Sequence, residues 1–280
     1  LLRLAPAVDP HTHRYVATGV ADSKFGLPIV GGMAAQAVAS ALASPCLRLD
    51  GYHVHIGSQV RDLDAYRQTV EVVAAFAAAM SARHGFVPAE IGLGGGWAVR
   101  YTLDDAAPTT DEVAQALASS LRGACQRFGL PLPRLVVEPG RALVAQAGVA
   151  LYTVGGSKEI AGMRRYVFVD GGMADNIRPA LYGACYTALL ANRASDEPTE
   201  LATIAGRYCE SGDVLIADAL LPTLVAGDIL AVAMCGAYAI PLASNYNLAL
   251  RPAIVAVENG QVTLWRRREV YDDLLRCEGM

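Results

Sequence analysis

IGLGGGWAVRY, residues 91–101, is a short apolar run that breaks into three consecutive glycines. Five other stretches follow the same plan of an apolar run and then a polar or glycine-rich turn: HVHIGSQ (53–59), VVEPGR (136–141), FVDGGMADNIRPALYG (168–183), YCESGD (208–213) and GAYAIPLASNYN (236–247). Strands that end in this way present glycines, carboxylates or arginines at their C-terminal edge, where α/β enzymes build their sites. The pattern therefore predicts an enzyme whose functional groups lie at strand ends.

Composition narrows the class of protein. The chain has 280 residues, of which 53% are hydrophobic, enough for one large domain or two ordinary ones with a substantial core. The net charge of −4 argues against a nucleic-acid groove or a polybasic membrane surface. The apolar stretches are too interrupted to span a membrane, and no signal peptide is visible. Six cysteines without a CxxC pair indicate a reduced, cytoplasmic protein.

The first half of the chain alternates strand-like and helix-like segments. The strand-like runs are 1–5, 51–56, 90–93 and 134–138, and the helical patterns are 32–42, 63–85 and 110–129. Asp64 and Thr110 are expected N-caps, and Gly85 and Gly129 are expected C-terminal stops. This alternation, at intervals of roughly forty residues, predicts parallel strands joined by right-handed crossovers, as in a (β/α) barrel.

The second half, from about residue 148, consists mostly of strand-like segments. GVALYTV, RYVFVD, ELATIAG, DILAVAM, PAIVAV and QVTLWRR are strand-like and are separated by Gly, Pro and Asp turns. The segment predicts a mostly antiparallel β domain, with RPALYGACYTALLAN (178–192) as its one helix. We therefore divide the chain into residues 1–147 and 148–280.

The number of strand–helix units does not suffice for a closed barrel. Four are visible, whereas closure needs eight. Half a barrel would expose unpaired strand edges. We expect a preceding segment or another chain to supply the remaining strands.

In their order these motifs resemble diaminopimelate decarboxylases, enzymes of the alanine-racemase/ornithine-decarboxylase fold group that use pyridoxal 5'-phosphate (PLP). The likeness runs from Arg3 to about Leu275 and includes RLAPAVDPHTH…TG…SKFG (3–26) and RRREVYDDL (266–274). It implies an α/β fold: the C-terminal half of a PLP-binding (β/α)8 barrel (1–147), followed by a β domain with substrate and dimer-interface residues (148–280). The family's Schiff-base lysine belongs to the first half of the barrel, and we expect Lys24 and Lys158, the two lysines of this chain, to be solvated.

The glycine turn is a candidate phosphate cradle. Gly94, Gly95 and Gly96 can point N–H groups at an anion, although three glycines alone more often form an ordinary tight turn. With Ser58 and Gly140, the turn fits the phosphate site that the resemblance implies.

Glu138 follows Val136 and Val137, so we expect its carboxylate to be partly buried and to need a cationic partner. From the residues alone, an ion pair with Arg141 is an equal alternative to a role in the site. The resemblance implies that Glu138 binds the pyridine nitrogen of PLP.

His53 and His55 share one strand face, but no further ligand completes a metal site. A satisfied core histidine is the usual alternative. The resemblance implies that His55 stacks on the cofactor ring and that His53 is structural.

Arg141 and Arg178 can each grip a carboxylate with two parallel hydrogen bonds, although surface salt bridges are the usual role of arginines. The resemblance implies that Arg141, Arg178 and Tyr182 hold substrate carboxylate oxygens, that Arg141 also contacts the cofactor, and that Tyr238 contacts both cofactor and substrate. A core position is the alternative for Tyr238.

Cys209 and Glu210, in YCESGD, form the most diagnostic pair of the sequence. The resemblance implies that Cys209 protonates the substrate carbon and that Glu210 binds the distal ammonium, both in the active site of a partner subunit. A buried cysteine without such a role is usually inert packing. The resemblance therefore also implies a homodimer with shared sites.

The leading hypothesis is PLP-dependent decarboxylation of meso-diaminopimelate to L-lysine and CO2, a step of lysine biosynthesis. The alternatives are another amino-acid decarboxylase of the same fold, of the ornithine/lysine or carboxynorspermidine type, or a non-catalytic paralogue that lacks the lysine. We expect the 280-residue chain by itself to be inactive.

Overall fold

The computed structural model describes residues 1–9, 19 and 23–279. Residues 10–18 and 20–22, which belong to the motif at 3–26, lie outside the described residues. The chain forms two compact units: Leu1–Arg100 with Asp104–Leu143, and Tyr101–Leu103 with Val144–Met280. The division of functional roles between residues 1–147 and 148–280 stays a prediction.

The first unit is a parallel α/β unit. Its elements are β1 (Leu2–Ala5), β2 (Leu27–Pro28), α1 (Met33–Ala43), β3 (Gly51–His53), α2 (Leu63–His84), β4 (Glu90–Gly92), α3 (Thr110–Phe128), β5 (Arg134–Val136) and α4 (Arg141–Val144). The strand order is β2-β1-β3-β4-β5, and every pair is parallel. All predicted strands and helices of this half are present. The short β2 was missed because two residues, one of them proline, leave no periodic signal.

The apolar stripe of α2 packs into the core of this unit. Tyr66, Val70, Val73, Ala77 and Met80 recur at helical spacing, and all five are buried. Each large side chain buried in this way contributes about 1.5–3 kcal/mol relative to exposure. These residues lie on the face of α2 that is turned away from water.

The predicted N-caps were wrong by one or two residues. The carboxylate of Asp62 accepts the N–H of Asp64 at 2.8 Å, so Asp62 is the cap of α2. Thr109 caps α3 in a reciprocal pairing with Glu112. In both cases the capping residue is extended, and its oxygen reaches forward to an otherwise unpaired N–H. The predicted stops are confirmed, because Gly85 and Gly129 end the helices at φ 67° and 64°.

The second unit is mostly antiparallel, as predicted. Its elements are β6 (Ala150–Ile160), β7 (Arg164–Val169), α5 (Arg178–Tyr182), β8 (Ala188–Leu190), β9 (Glu200–Ala205), β10 (Val214–Leu221), β11 (Ile229–Val232), β12 (Ile254–Glu258), β13 (Gln261–Arg266) and α6 (Tyr271–Leu275). One sheet has the order β10-β9-β7-β6-β11-β8, with only the β7–β9 pair parallel, and β12 and β13 form a hairpin. Strands β8 and β10 were not predicted.

The helix predicted over residues 178–192 was wrong for most of its length. It ends at Tyr182, because Gly183 adopts a left-handed φ of 61° and donates its N–H back to the carbonyls of Arg178 and Pro179. The following residues form β8 and a 3-10 turn at Ala191–Arg193. Glycine after a short helix is a stop signal, and here it outweighed the helix-forming residues that follow.

Among the described residues, no helix combines the length and the apolar character needed to cross a bilayer.

Candidate cofactor and substrate sites

In the first unit, the turn after β4 uses its glycine carbonyls to attach itself to the protein. Each of the three carbonyls accepts one bond: Gly94 from the Glu138 N–H at 2.8 Å, Gly95 from the Tyr66 hydroxyl at 3.1 Å, and Gly96 from the Val60 N–H at 2.9 Å. In a trans peptide the C=O and the next N–H point in opposite directions. The N–H groups that follow these carbonyls therefore point away from these three donors. That of Gly95 is donated to His55, and those of Gly96 and Trp97 are oriented as an anion cradle requires.

Only glycine fits two positions of this turn. A Cβ at Gly95 would lie 2.0 Å from the carbonyl oxygen of Glu138. A Cβ at Gly96 would lie 1.9 Å from the carbonyl oxygen of Gly57, and Gly96 also has a φ of +83°. The ends of β3, β4 and β5 can approach one another this closely only because no side chain intervenes.

His55 lies against the glycine turn. Its Nδ1 accepts the N–H of Gly95 at 3.2 Å. Burial, and then the positive charge of Arg3, lowers the pKa of His55 below its usual value of 6.5. The imidazole is therefore mostly neutral at pH 7, with its proton on Nε2 because Nδ1 is an acceptor.

Glu138 pairs with a residue other than Arg141, the ion-pair alternative considered from the sequence. Its side chain, expected to be partly buried, is 53% exposed, because β5 ends at Val136 and the chain has left the sheet. The carboxylate pairs with His53, Nε2 to Oε1 at 2.9 Å, instead of with Arg141. His53 was predicted to be only structural. The sequence did offer a signal for His53: it lies two residues before His55 and therefore on the same face of the strand.

Arg141 and Ser58 form a third contact of this region. Arg141 is buried, and its Nη2 donates to the Ser58 hydroxyl at 2.8 Å. Gly140 directly precedes α4, and its carbonyl accepts the N–H of Leu143 at 3.2 Å. The first unit thus brings together at its strand ends the predicted residues His55, Ser58, Gly95, Gly96, Glu138, Gly140 and Arg141.

In the second unit, Arg178 is a buried cation in an aromatic environment. Only 5% of it is exposed, and its guanidinium carbon lies 4.7 Å from the centre of the Tyr101 ring and 5.6 Å from that of Tyr186. Among the described residues, no carboxylate lies within ion-pairing distance of it. Tyr182, the last residue of α5, lies four residues further on and therefore on the same helix face. An arginine buried in this way is suited to receive an anionic ligand.

Cys209 and Glu210 are exposed in the turn between β9 and β10. Tyr246 donates its hydroxyl to the Glu210 carboxylate, which raises the pKa of Tyr246 to about 12. The amide nitrogen of Asn247 lies 3.2 Å from the Cys209 sulfur. Tyr246 and Asn247 belong to the SNYN motif (244–247), to which the sequence analysis gave no role.

The turn that carries Cys209 and Glu210 is held from inside by Asp213. Asp213 is buried and accepts the N–H groups of Tyr208 at 2.8 Å and Met173 at 2.6 Å. The bond to Tyr208 closes the turn, and the bond to Met173 attaches it to another segment of the same unit.

Tyr238 is not the core residue that the alternative interpretation required. It is 42% exposed and has a left-handed φ of 61°. A non-glycine residue in this region carries backbone strain, which in proteins concentrates at functional positions.

Comparison with known proteins gives the family. Residues 1–145 match the model for "Pyridoxal-dependent decarboxylase, pyridoxal binding domain". The chain belongs to the pyridoxal-dependent decarboxylase family. The resemblance and the fold class inferred from the sequence are confirmed.

Within this family, curated relatives match nearly the whole chain. The diaminopimelate decarboxylase of Bacillus subtilis is 44% identical over 278 residues, which cover 99% of this chain and 63% of the relative. That of Actinosynnema pretiosum is 46% identical over 280 residues, which cover 99% of this chain and 62% of the relative. The chain thus spans somewhat less than two thirds of the length of these relatives.

Solved structures agree with the curated relatives. A diaminopimelate decarboxylase from M. jannaschii superposes with a TM-score of 0.89 at 35% identity, over 99% of this chain and 63% of that one. The Helicobacter pylori enzyme complexed with L-lysine gives a TM-score of 0.87 at 32% identity, over 99% of this chain and 66% of that one.

Proposed function

We propose that this chain provides the PLP-binding and substrate-binding groups of a diaminopimelate decarboxylase, which converts meso-diaminopimelate to L-lysine and CO2. The observation that carries the proposal is the convergence of the glycine turn, Glu138 and the Arg141–Ser58 pair at adjacent strand ends of a pyridoxal-binding family. Its relatives at 41–46% identity bear this name.

The donor set of the first unit fits PLP. At the turn of Gly95 and Gly96, the N–H groups that point away from the protein, with Ser58 and Gly140, would hold the phosphate, because its oxygens accept backbone donors. Glu138 would bind the pyridine nitrogen, and His53 fixes the orientation of that carboxylate. His55, neutral and partly desolvated, would stack on the ring. Bound there, PLP supplies an electron sink for the charge left when a carboxylate departs as CO2.

The substrate groups are assigned by charge. Arg178, with Tyr182 and Arg141, would hold carboxylate oxygens, because a guanidinium binds a carboxylate with two parallel bonds. Glu210 would bind the distal ammonium. Cys209 would donate a proton to the substrate carbon, and Tyr238 would contact cofactor and substrate. Cys209 and Glu210 are exposed, as residues that enter a partner's site must be, and this supports a homodimer.

The lysine that binds PLP would come from residues outside this chain. Lys24 and Lys158 are both exposed, and the ammonium of Lys24 lies over the ring of Phe25 at 5.0 Å. We place the reaction in the cytoplasm, since all six cysteines are free thiols.

The direct test is an assay of the full natural chain, loaded with PLP, for L-lysine release from meso-diaminopimelate. We expect L-lysine and CO2 in equal amounts, and no CO2 from the 280-residue chain alone. A preference for ornithine or lysine would move the protein to the sister decarboxylases. Absence of PLP binding by the full natural chain would favour a non-catalytic paralogue.

Arg178→Ala tests the substrate assignment. Because a ligand carboxylate would lose a buried cationic partner, we expect kcat/KM to fall by about a hundredfold or more. The matched control is Arg164→Ala in the same unit, since Arg164 is exposed and its nearest carboxylate, Asp218, is 3.7 Å away. Equal activity of the two variants would remove Arg178 from the substrate site.

A further inference from the structure

We propose that Tyr186 and Asn176 are positioning residues that hold Arg178 in one orientation, so that it receives a substrate carboxylate. The inference rests on the proposed function, since it takes Arg178 as the receptor. It adds two residues that the motif analysis left without a role.

A closed ring of hydrogen bonds joins the three residues. Arg178 Nη1 donates to the Tyr186 hydroxyl at 2.5 Å, and that hydroxyl donates to Asn176 Oδ1 at 3.4 Å. The backbone N–H of Arg178 donates to the same Oδ1, also at 3.4 Å. Asn176 Oδ1 thus accepts the backbone N–H of Arg178 directly, and the Tyr186 hydroxyl links it to the guanidinium of the same arginine. This ring restricts the side-chain rotamers of Arg178.

Tyr101 confines the guanidinium from a second direction. The rings of Tyr101 and Tyr186 stand edge to face, with centres 5.2 Å apart and planes at 80°. Thr187, next to Tyr186, donates its hydroxyl to the Tyr101 carbonyl at 3.3 Å. Cation–π attraction to the two rings offsets part of the cost of burying the charge.

The charge balance around Arg178 calls for an anion. The two tyrosines and Asn176 are neutral, and the described residues provide no carboxylate partner. A guanidinium has five N–H donors in a fixed plane, and the Tyr186 hydroxyl takes one of them. A ligand carboxylate would satisfy two more and neutralise the charge.

The local sequence explains why this ring can form. In a continuous helix, Tyr186 would lie about 12 Å along the axis from Arg178, because each residue rises 1.5 Å. The left-handed Gly183 ends α5 and returns the chain, so that Tyr186 reaches a residue eight positions earlier. Gly183, which ends the predicted helix early, therefore also allows Tyr186 to contact Arg178.

The test compares two ligands that differ by one carboxylate. L-lysine has a carboxylate that cadaverine lacks, and inhibition constants for both are measured with the PLP-loaded full natural chain. Tyr186→Phe removes only the hydroxyl and keeps the ring. We expect L-lysine to bind about tenfold more weakly, since one charged hydrogen bond orients the receptor, and cadaverine binding to change by less than about twofold. The control, Tyr166→Phe, removes a tyrosine hydroxyl from β7 of the same unit and should change neither constant.

The outcomes separate this inference from the proposed function. If the unsubstituted enzyme prefers L-lysine but Tyr186→Phe leaves both constants unchanged, or weakens both equally, Tyr186 has no positioning role and the inference is refuted. If the unsubstituted enzyme does not prefer L-lysine to cadaverine, Arg178 is no carboxylate receptor and both proposals fail.

Asn176→Asp provides a second, nearly isosteric variant. It keeps both acceptor bonds but gives the ring an internal carboxylate, which the Tyr186 hydroxyl links to the guanidinium. We expect L-lysine affinity to fall by about tenfold or more while cadaverine affinity is maintained. Unchanged L-lysine affinity would contradict the role of the ring even if Tyr186→Phe folded poorly.

Discussion

The two units hold their candidate functional groups in different ways. In the first unit, the glycine turn is held through its backbone: its three glycine carbonyls accept hydrogen bonds from Glu138, Tyr66 and Val60. In the second unit, side chains hold side chains, as Tyr186 and Asn176 hold Arg178, and Tyr246 holds Glu210. The first arrangement should therefore be damaged by added atoms, and the second by atoms removed.

The difference follows from the ligands that we propose. A phosphate is held best by several N–H groups at close approach, which demands glycine. A carboxylate is held best by one oriented guanidinium, whose long side chain must be fixed by neighbours.

The largest effect is expected for Gly95→Ala in the first unit. Its Cβ would meet the Glu138 carbonyl oxygen at 2.0 Å, so that β4 and β5 must separate. We expect a loss of about 3 kcal/mol in the free energy of unfolding, measured in urea, together with weaker PLP binding. The control is Gly123→Ala in α3, where the nearest atom is 3.4 Å away at the end of the Arg127 side chain. It should gain about 0.5–1 kcal/mol, and equal stability of the two variants would refute the close approach.

A smaller effect is expected for Tyr246→Phe in the second unit. The change removes one hydroxyl that donates to the Glu210 carboxylate, and so frees Glu210 without removing it. We expect KM for meso-diaminopimelate to rise about fivefold with kcat nearly constant, since an oriented charged hydrogen bond is lost. Tyr271→Phe, at an exposed tyrosine of α6, is the control. A fall in kcat without a change in KM would be inconsistent with this role.

The smallest effect concerns pH and His55. Its pKa in the folded protein is lower than its usual 6.5, so the unfolded chain takes up the proton first as the pH falls. Stability should therefore decrease between about pH 7 and pH 5, and His55→Gln should remove this part of the slope, by less than about 1 kcal/mol. Equal slopes in the unsubstituted protein and in His55→Gln would contradict the desolvation of His55.

Much of the fold was predictable from local patterns. The helical pattern over residues 63–85 predicted α2, and Gly85 and Gly129 predicted two helix ends. Such signals depend on residues within a turn or two of one another, and the chemistry of those neighbours decides them. Errors arose where several residues competed for one role, as Asp62 and Asp64 did at the start of α2.

The sequence alone was enough to predict the strands and helices that alternate in the first unit, most strands of the second unit and the family. The side-chain partners depend on tertiary packing: His53 rather than Arg141 for Glu138, Ser58 for Arg141 across 83 residues of chain, and Tyr246 for Glu210 across 36. These pairs have no local signal, because packing of distant segments brings them together. Tyr186, only eight residues from Arg178, is the exception, because the left-handed Gly183 turns the chain locally.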